Sequence, residues 1–332
     1  ELAARFPEAG GGYVYLRRAF GPLVAFLYGW KCLLVMDPGI TAALAVGLAS
    51  YVGYAVDLPP LGLRAVAVGA VLALAAVNIA GLRIGAGMIR WLTAFKLGAL
   101  AVLALLAVIL RRGDIAHFVP FVAQRPGADA LPGALAGALV AAFFAFGGWW
   151  EVSKLAGEAR DPARTVPRAL ALGIAVVTAA YVVTSAAFVY LVPLDRVGSG
   201  ETFAAQAGEA LFGATGGQVF AAIVVVSVLG SLATLLMALP RLYYAMARDG
   251  LFFRSIAAVH PRLGTPARAI GLQAALACLF VMLGTFEDIL GYFIFATVAF
   301  LGLTTASLFV FRRRDHDAGP PFRTPGYPLT PA

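Results

Sequence analysis

The chain has 332 residues, 61% of them hydrophobic and 13% charged, with a formal net charge of +8. A soluble domain carries about a quarter charged residues, so a mean hydropathy of +0.88 excludes an ordinary water-soluble globule. The two cysteines, Cys32 and Cys278, lie in apolar stretches and are too few for a disulfide framework or a metal site, so packing is their expected role and no metal or cofactor is expected.

The apolar residues come in long blocks and not on alternating faces. About 20 such residues cross a bilayer core, and a helix apolar all round has no face to offer water. The pattern predicts an all-α integral membrane protein with eight complete spans in a lipid bilayer. The first, 20–53, carries an intramembrane acid in Met36-Asp37-Pro38-Gly39. Pro59-Pro60 then punctuates the chain before spans at 63–82 and 88–110, the latter holding Lys96. Pro126 marks the approach to a fourth span at 132–158, and a fifth runs over 168–192 to Pro193. In the connection that follows, residues 202–212 have the pattern of a short amphipathic helix, either a surface helix or a lid over a vestibule. The last three spans are placed at 216–247, 266–285 and 288–311.

Basic residues sort by side. Eighteen fall on one side of these spans, in groups such as Arg17-Arg18, Lys154 with Arg160, and Arg312-Arg313-Arg314. Five fall on the other side: Arg64, Arg111, Arg112, Arg125 and Arg196. The positive-inside rule places the richer set in the cytoplasm. An even number of spans puts both ends there, consistent with a plasma (inner) membrane protein. Charge dealt out loop by loop is an orientation signal and argues against a nucleic-acid surface.

The fourth span contains Phe144-Ala145-Phe146-Gly147-Gly148-Trp149-Trp150. Glycine costs about 1 kcal/mol inside a helix, so a pair at this depth predicts an interruption. Freed backbone groups in a membrane must face protein or a water-filled cavity. Transporters use such breaks to aim N–H and C=O groups at a ligand; close helix packing on small residues is the other reading.

Here the residues carry a resemblance. Phe144-Ala-Phe-Gly-Gly-Trp, Gly157-Glu158-Ala-Arg-Asp-Pro and Val166-Pro167-Arg-Ala resemble the sixth helix and following loop of amino acid permeases. The superfamily is the amino acid–polyamine–organocation group, nearest its L-type (LAT-like) branch. Gly11-Gly-Tyr-Val-Tyr-Leu, Asn78-Ile-Ala-Gly, Lys96-Leu-Gly-Ala-Leu, Arg241-Leu-Tyr-Tyr-Ala-Met-Ala-Arg-Asp-Gly250 and Phe295-Ala-Thr-Val-Ala-Phe resemble other segments of that family in the same order. The resemblance covers almost the whole chain.

It implies the leucine-transporter-like inverted-repeat fold, truncated at both ends, within one transmembrane transporter domain over 1–332. Residues 1–110 would form an incomplete first repeat and 132–312 the second. The eight spans would be helices three to ten, without the first helix that holds the substrate carboxylate. An amino acid would bind with its amino group at carbonyls near Phe144, Ala145 and Gly147, in a site that includes Phe146, Gly148 and Trp149. Phe144 would gate it, and Phe295 and Val298 would line the side-chain end. The resemblance also places Lys96 where sodium-independent members put an ammonium in place of a sodium ion, with Ser231 and Thr234 as neighbours; snorkelling to the interface is the plainer reading, since Lys96 lies about 9 Å along the helix from Arg90.

Asp37 is an intramembrane carboxylate, a site hypothesis by default. It could pair with Lys31, although i,i+6 does not share a helix face, or line the pocket, or neutralise a partner elsewhere. The expected function is amino acid transport by alternating access, sodium-independent, by proton coupling or exchange. An amine or polyamine substrate is the alternative within the class, with Asp37 its support; a non-transporting sensor is another. A membrane enzyme, with catalytic groups converging in the bilayer, is disfavoured. His117, His260 and His316 fall in loops, and no metalloprotease, nucleophile-elbow or Asp-rich metal pattern occurs. The oligomeric state has no signature in the sequence.

Overall fold

The computed structural model describes residues 1–119, 130–192, 203–283, 286–314 and 322–331; the side chains of 82–86, 140, 144, 203 and 286–296 are outside that description. The described residues form helices and no strands. After a helical turn at Leu2–Arg5 comes α1 (Gly12–Phe20).

The first apolar block folds as α2 (Pro22–Lys31), a π-helical turn at Cys32–Met36, and α3 (Asp37–Ala55). Pro38 explains the wide turn. It has no N–H to return to Leu34, so the ladder loses a bond there and shifts register. Then come α4 (Pro60–Ala80), opened by a proline at its first position, and α5 (Leu82–Ile109). Next, α6 (Leu131–Phe146) stops at the glycine pair, and the chain continues as a 3₁₀ segment, Trp149–Glu158. The span expected over 132–158 is therefore helical in two different ways.

Long α7 (Pro162–Leu191) follows. Then α8 (Phe203–Ala238) is bent at Gly213, which has φ 70° and ψ −163° and marks off the short helix expected at 202–212. Pro240 interrupts the helix in the expected 216–247 span, which resumes at once as α9 (Pro240–Arg248), with Leu239 between them still helical at φ −61°, ψ −43°. Two helices complete the fold, α10 (Ala267–Leu283) and α11 (Phe286–Arg314). The end of the expected 266–285 span, at 284–285, is outside the described residues.

Among the described residues, five stretches are long and apolar enough to cross a membrane: Pro22–Ala55, Pro60–Ala80, Gly87–Ile109, Pro162–Leu191 and Ala204–Arg248. The most apolar 18-residue window of Pro162–Leu191 has a mean hydropathy of 2.1, yet only 11% of it is buried in the protein. In water, each Å² of such apolar surface would cost about 25 cal/mol. The outward apolar surface fits a lipid solvent, with Leu139 and Leu172 among its exposed side chains.

The inner helices pack on small side chains. Ala42, Ala45, Ala67, Ala233, Ala274 and Ala277 are buried where α3, α4, α8 and α10 meet, and they let backbones approach closely. Asn78 ties α4 to α8 by donating from Nδ2 to the Leu74 carbonyl at 3.0 Å and the Ala233 carbonyl at 3.1 Å. A second core gathers Tyr13, Leu16, Tyr28, Cys32, Met36, Leu242, Tyr243 and Met246. It positions the site.

Candidate functional site

The break begins with backbone geometry. Gly148 sits at φ 97°, ψ −13°. For an L-residue with a Cβ this left-handed region costs about 1–2 kcal/mol, so the second glycine of the pair is the residue that permits the turn. Its carbonyl accepts from the Glu151 N–H at 3.0 Å, which starts the 3₁₀ segment. On the other side of the break, the Ala145 carbonyl accepts from the Tyr181 hydroxyl of α7 at 2.6 Å. The Phe146 ring lies 6.0 Å from that of Tyr181. Trp149 and Trp150 meet edge to face at 5.4 Å, and Phe143 stacks on Trp150.

This segment walls a cavity of about 260 Å³. Trp149, Trp150, Ser153 and Lys154 line it from the segment after the break; Tyr28, Lys31 and Met36 line it from α2 and the π turn; Thr297, Phe300 and Thr304 line it from α11. Of the residues expected here, Trp149 lines the cavity. Val298 is half exposed, and it is the adjacent Thr297 that faces the cavity, because successive positions on a helix point about 100° apart. The side chains of Phe144 and Phe295 lie outside the described residues.

Behind the cavity wall is a cluster of buried charge. Lys154, grouped by sequence with the cytoplasmic basic residues, is only 1% exposed. Its Nζ lies 2.6 Å from Glu151 Oε2 and 3.6 Å from Asp37 Oδ1. Of the readings open for Asp37, a pairing with Lys31 does not form: Lys31 Nζ is 2.9 Å from Met36 Sδ and sits over the rings of Tyr28 and Phe300. With a spacing of six residues the two point to different faces. Asp37 instead reaches Tyr243, whose hydroxyl lies 2.7 Å from its Oδ2 and 2.8 Å from Gln273 Oε1.

Sequence reasoning missed Glu151, Tyr243 and Gln273. Glu151 and Lys154 are an i,i+3 pair of opposite charge, a local signal that could have been read. Tyr243 and Gln273 had none, since their partners are distant in the chain.

Lys96 on α5 donates from Nζ to Ser231 Oγ on α8 at 2.8 Å. Thr234, its other expected neighbour, donates to the carbonyl of Gly230 in its own helix at 2.8 Å. Two of the sequence motifs also meet. Arg241, 3% exposed, donates from Nε to Glu158 Oε1 at 2.9 Å and from a guanidinium N–H to the Met237 carbonyl. Nearby, Arg17 and the Tyr13 hydroxyl both reach Asp249, at 2.7 and 2.9 Å.

Apolar helices facing outward, and one of them broken beside a cavity between helices, define an integral, multi-pass membrane protein. Comparison with known proteins identifies its family. The family described as amino acid permease matches residues 1–331, and the chain belongs to it. It is 30% identical to the serine/threonine exchanger SteT of Bacillus subtilis, covering 100% of this chain and 75% of that protein. It is 29% identical to the b(0,+)-type amino acid transporter 1 of rabbit, Oryctolagus cuniculus, over 94% of this chain and 64% of that one. It is 33% identical to an uncharacterised transporter of Mycobacterium tuberculosis, over 92% and 67%. These relatives are named as transporters, so the enzyme reading falls away. The chain spans between 64% and 75% of the lengths of these relatives.

Proposed function

We propose that this chain is the core of a secondary transporter that carries amino acids by alternating access, without sodium, through exchange or proton coupling. The observation that carries the reading is the break at Gly147-Gly148 beside a cavity that is mostly apolar but carries Lys31, Ser153, Lys154 and Thr297 on its wall. The left-handed Gly148 ends the α-helix there, and the amino group of a zwitterionic substrate would take the place of the Tyr181 hydroxyl and the Glu151 N–H at the Ala145 and Gly148 carbonyls. The names of the relatives, an amino acid exchanger and an amino acid transporter, support the substrate class.

In this reading the eight spans are helices three to ten of an inverted-repeat fold. Residues 1–110 belong to the first repeat and 132–312 form the second. Phe144, Ala145, Phe146, Gly147, Gly148 and Trp149 surround the amino group, and Phe295 lies toward the side chain, with Thr297 taking the place on the cavity wall that the resemblance gave to Val298. The Lys96–Ser231 contact supports an ammonium in the place of a sodium ion, with Thr234 close by. Glu1 is bound by Arg312 at 2.9 and 2.6 Å and by the Thr324 N–H at 2.7 Å, which brings the two ends of the chain together and supports placing both on the cytoplasmic side of a plasma (inner) membrane. An amine substrate would need Asp37 to face it, whereas the carboxyl faces Lys154 and Tyr243; that favours amino acids.

Counterflow of labelled amino acids in proteoliposomes of the full-length protein tests the proposal. Saturable uptake that persists when sodium is replaced is expected. Absence of saturable uptake of every amino acid and amine would refute transport, and a strict sodium requirement would refute the Lys96 role alone.

A further inference from the structure

Asp37 is fully buried and closes a ring of polar groups that neither the helix break nor Lys96 uses. From its Oδ2 the ring runs to the Tyr243 hydroxyl at 2.7 Å, and from Tyr243 to Gln273 Oε1 at 2.8 Å. Gln273 Nε2 donates to Thr41 Oγ1 at 3.0 Å, and Thr41 donates to the Asp37 backbone carbonyl at 2.7 Å. A tyrosine hydroxyl has one hydrogen, a threonine hydroxyl one, and a carboxylate none. With the Gln273 amide oriented as here, an ionised Asp37 takes the Tyr243 hydrogen on Oδ2, and Gln273 Oε1 then faces the Tyr243 oxygen with no hydrogen between them. Two such acceptors in contact in a dry interior repel, so the ionised form needs the amide turned over. If Oδ2 carries a proton, every contact holds one hydrogen. Asp37 donates to Tyr243, Tyr243 to Gln273, Gln273 to Thr41, and Thr41 to the Asp37 carbonyl.

Charge counting agrees. Asp37 is faced by Glu151 and Lys154 from the segment after the break, by Tyr243 from α9, by Gln273 from α10, and by Lys31, Cys32 and Tyr28 from α2 and the π turn. The Lys154 ammonium is held by Glu151 at 2.6 Å and reaches Asp37 Oδ1 only at 3.6 Å. Lys31 stands over two aromatic rings, 5.3 Å from each centroid, on the cavity side. One close ammonium serves two carboxylates, and Lys31, whose charge also reaches Asp37, makes no direct contact with it, so Asp37 is the less tightly paired of the two buried acids.

We propose that Asp37 is a proton-binding site. A proton entering through the cavity that Lys154 lines forms an O–H bond on Oδ2, leaves the carboxyl neutral, and turns the Tyr243 hydroxyl onto Gln273. Release reverses the ring. Tyr243 then donates to Asp37, the Gln273 amide turns so that Nε2 donates to Tyr243, and Thr41 turns its hydrogen onto Gln273 Oε1. Because the ring joins α3, α9 and α10, its occupancy is felt by three helices. The site is separate from Lys96, and nothing in it depends on which substrate is carried.

Infrared difference spectra of the purified full-length protein across a pH titration, with and without ¹³C at the aspartate side-chain carboxyl, test this. The expected signal is the C=O stretch of a protonated carboxylic acid. It moves on aspartate labelling, vanishes in Asp37→Asn, and changes frequency in Tyr243→Phe, which removes its hydrogen-bond partner. Asp37→Asn keeps the ring, since an amide N–H donates to Tyr243 as the acid does, so its denaturant midpoint matches that of the parent protein. The proposal is overturned if no such band exists while the protein is folded, if the band ignores the label or survives in Asp37→Asn, or if Asp37→Asn lowers the midpoint or fails to fold.

Discussion

Replacing Lys154 by methionine keeps the length and apolar stem of the side chain and removes its charge. The ammonium is 1% exposed and lies 2.6 Å from a Glu151 carboxylate whose side chain is 7% exposed. Removing one partner of a buried pair leaves the other charge uncompensated and costs about 3–5 kcal/mol. At about 1.4 kcal/mol per factor of ten, the folded-to-unfolded ratio falls by roughly 10² to 10³ or more. Glu151→Gln is milder, because Asp37 Oδ1 remains 3.6 Å from the same ammonium and can take over the pairing. The double variant Lys154→Met/Glu151→Gln removes both charges and recovers most of the loss. Denaturant titration in mild detergent, followed by tryptophan fluorescence, gives the four corners of the cycle. A single Lys154→Met within about 1 kcal/mol of the parent, the range of an exposed pair, would refute the reasoning, as would a double variant no better than Lys154→Met.

Other perturbations test separate parts of the structure. Gly148→Ala meets no neighbouring atom but must hold φ 97°, so it should lose about 1–2 kcal/mol by the same titration, and more than Gly147→Ala. Ser231→Ala removes the hydroxyl that Lys96 contacts; a hydrogen bond to a charged group contributes about 1.5–3 kcal/mol, and a loss in that range is expected, whereas Thr234→Val should cost less because that hydroxyl serves its own helix. For Glu1, burial acts to raise the carboxyl, but the hydrogen bonds from Arg312 and the Thr324 N–H outweigh it and hold it from the ordinary 4.5 down to about 2. A depressed acid adds stability that is fully present above its ordinary value and is lost as pH falls through about 2. The stability gap between the parent and Glu1→Gln should therefore be constant near neutrality and close progressively between about pH 5 and pH 2; a gap unchanged by acid would show that the Glu1–Arg312 contact contributes nothing.

The helices were legible because hydropathy is a local property: a run such as Ala169–Leu191 has no water-facing side and must span or be buried. The break was legible for the same reason, since Gly147 and Gly148 lose helix propensity wherever they are placed. Pro38 and Pro240 also act locally, yet their outcomes, a π turn and a second helix, depended on whether packing let the helix continue in another register. Val298 and Thr297 differ by one position, and sequence alone does not say which of them faces the cavity.

The chain's membrane character, its helices, its family motifs and the position of the break were determined by the sequence, because each follows from residues within a few turns of one another. The fate of the charges was decided by tertiary structure. Asp37 and Tyr243 are 206 residues apart, and Thr41 and Gln273 are 232 apart. No local pattern records such contacts. They exist because packing α3, α9, α10 and the segment after the break into one core forces each buried polar group to find whatever partner the fold brings within reach.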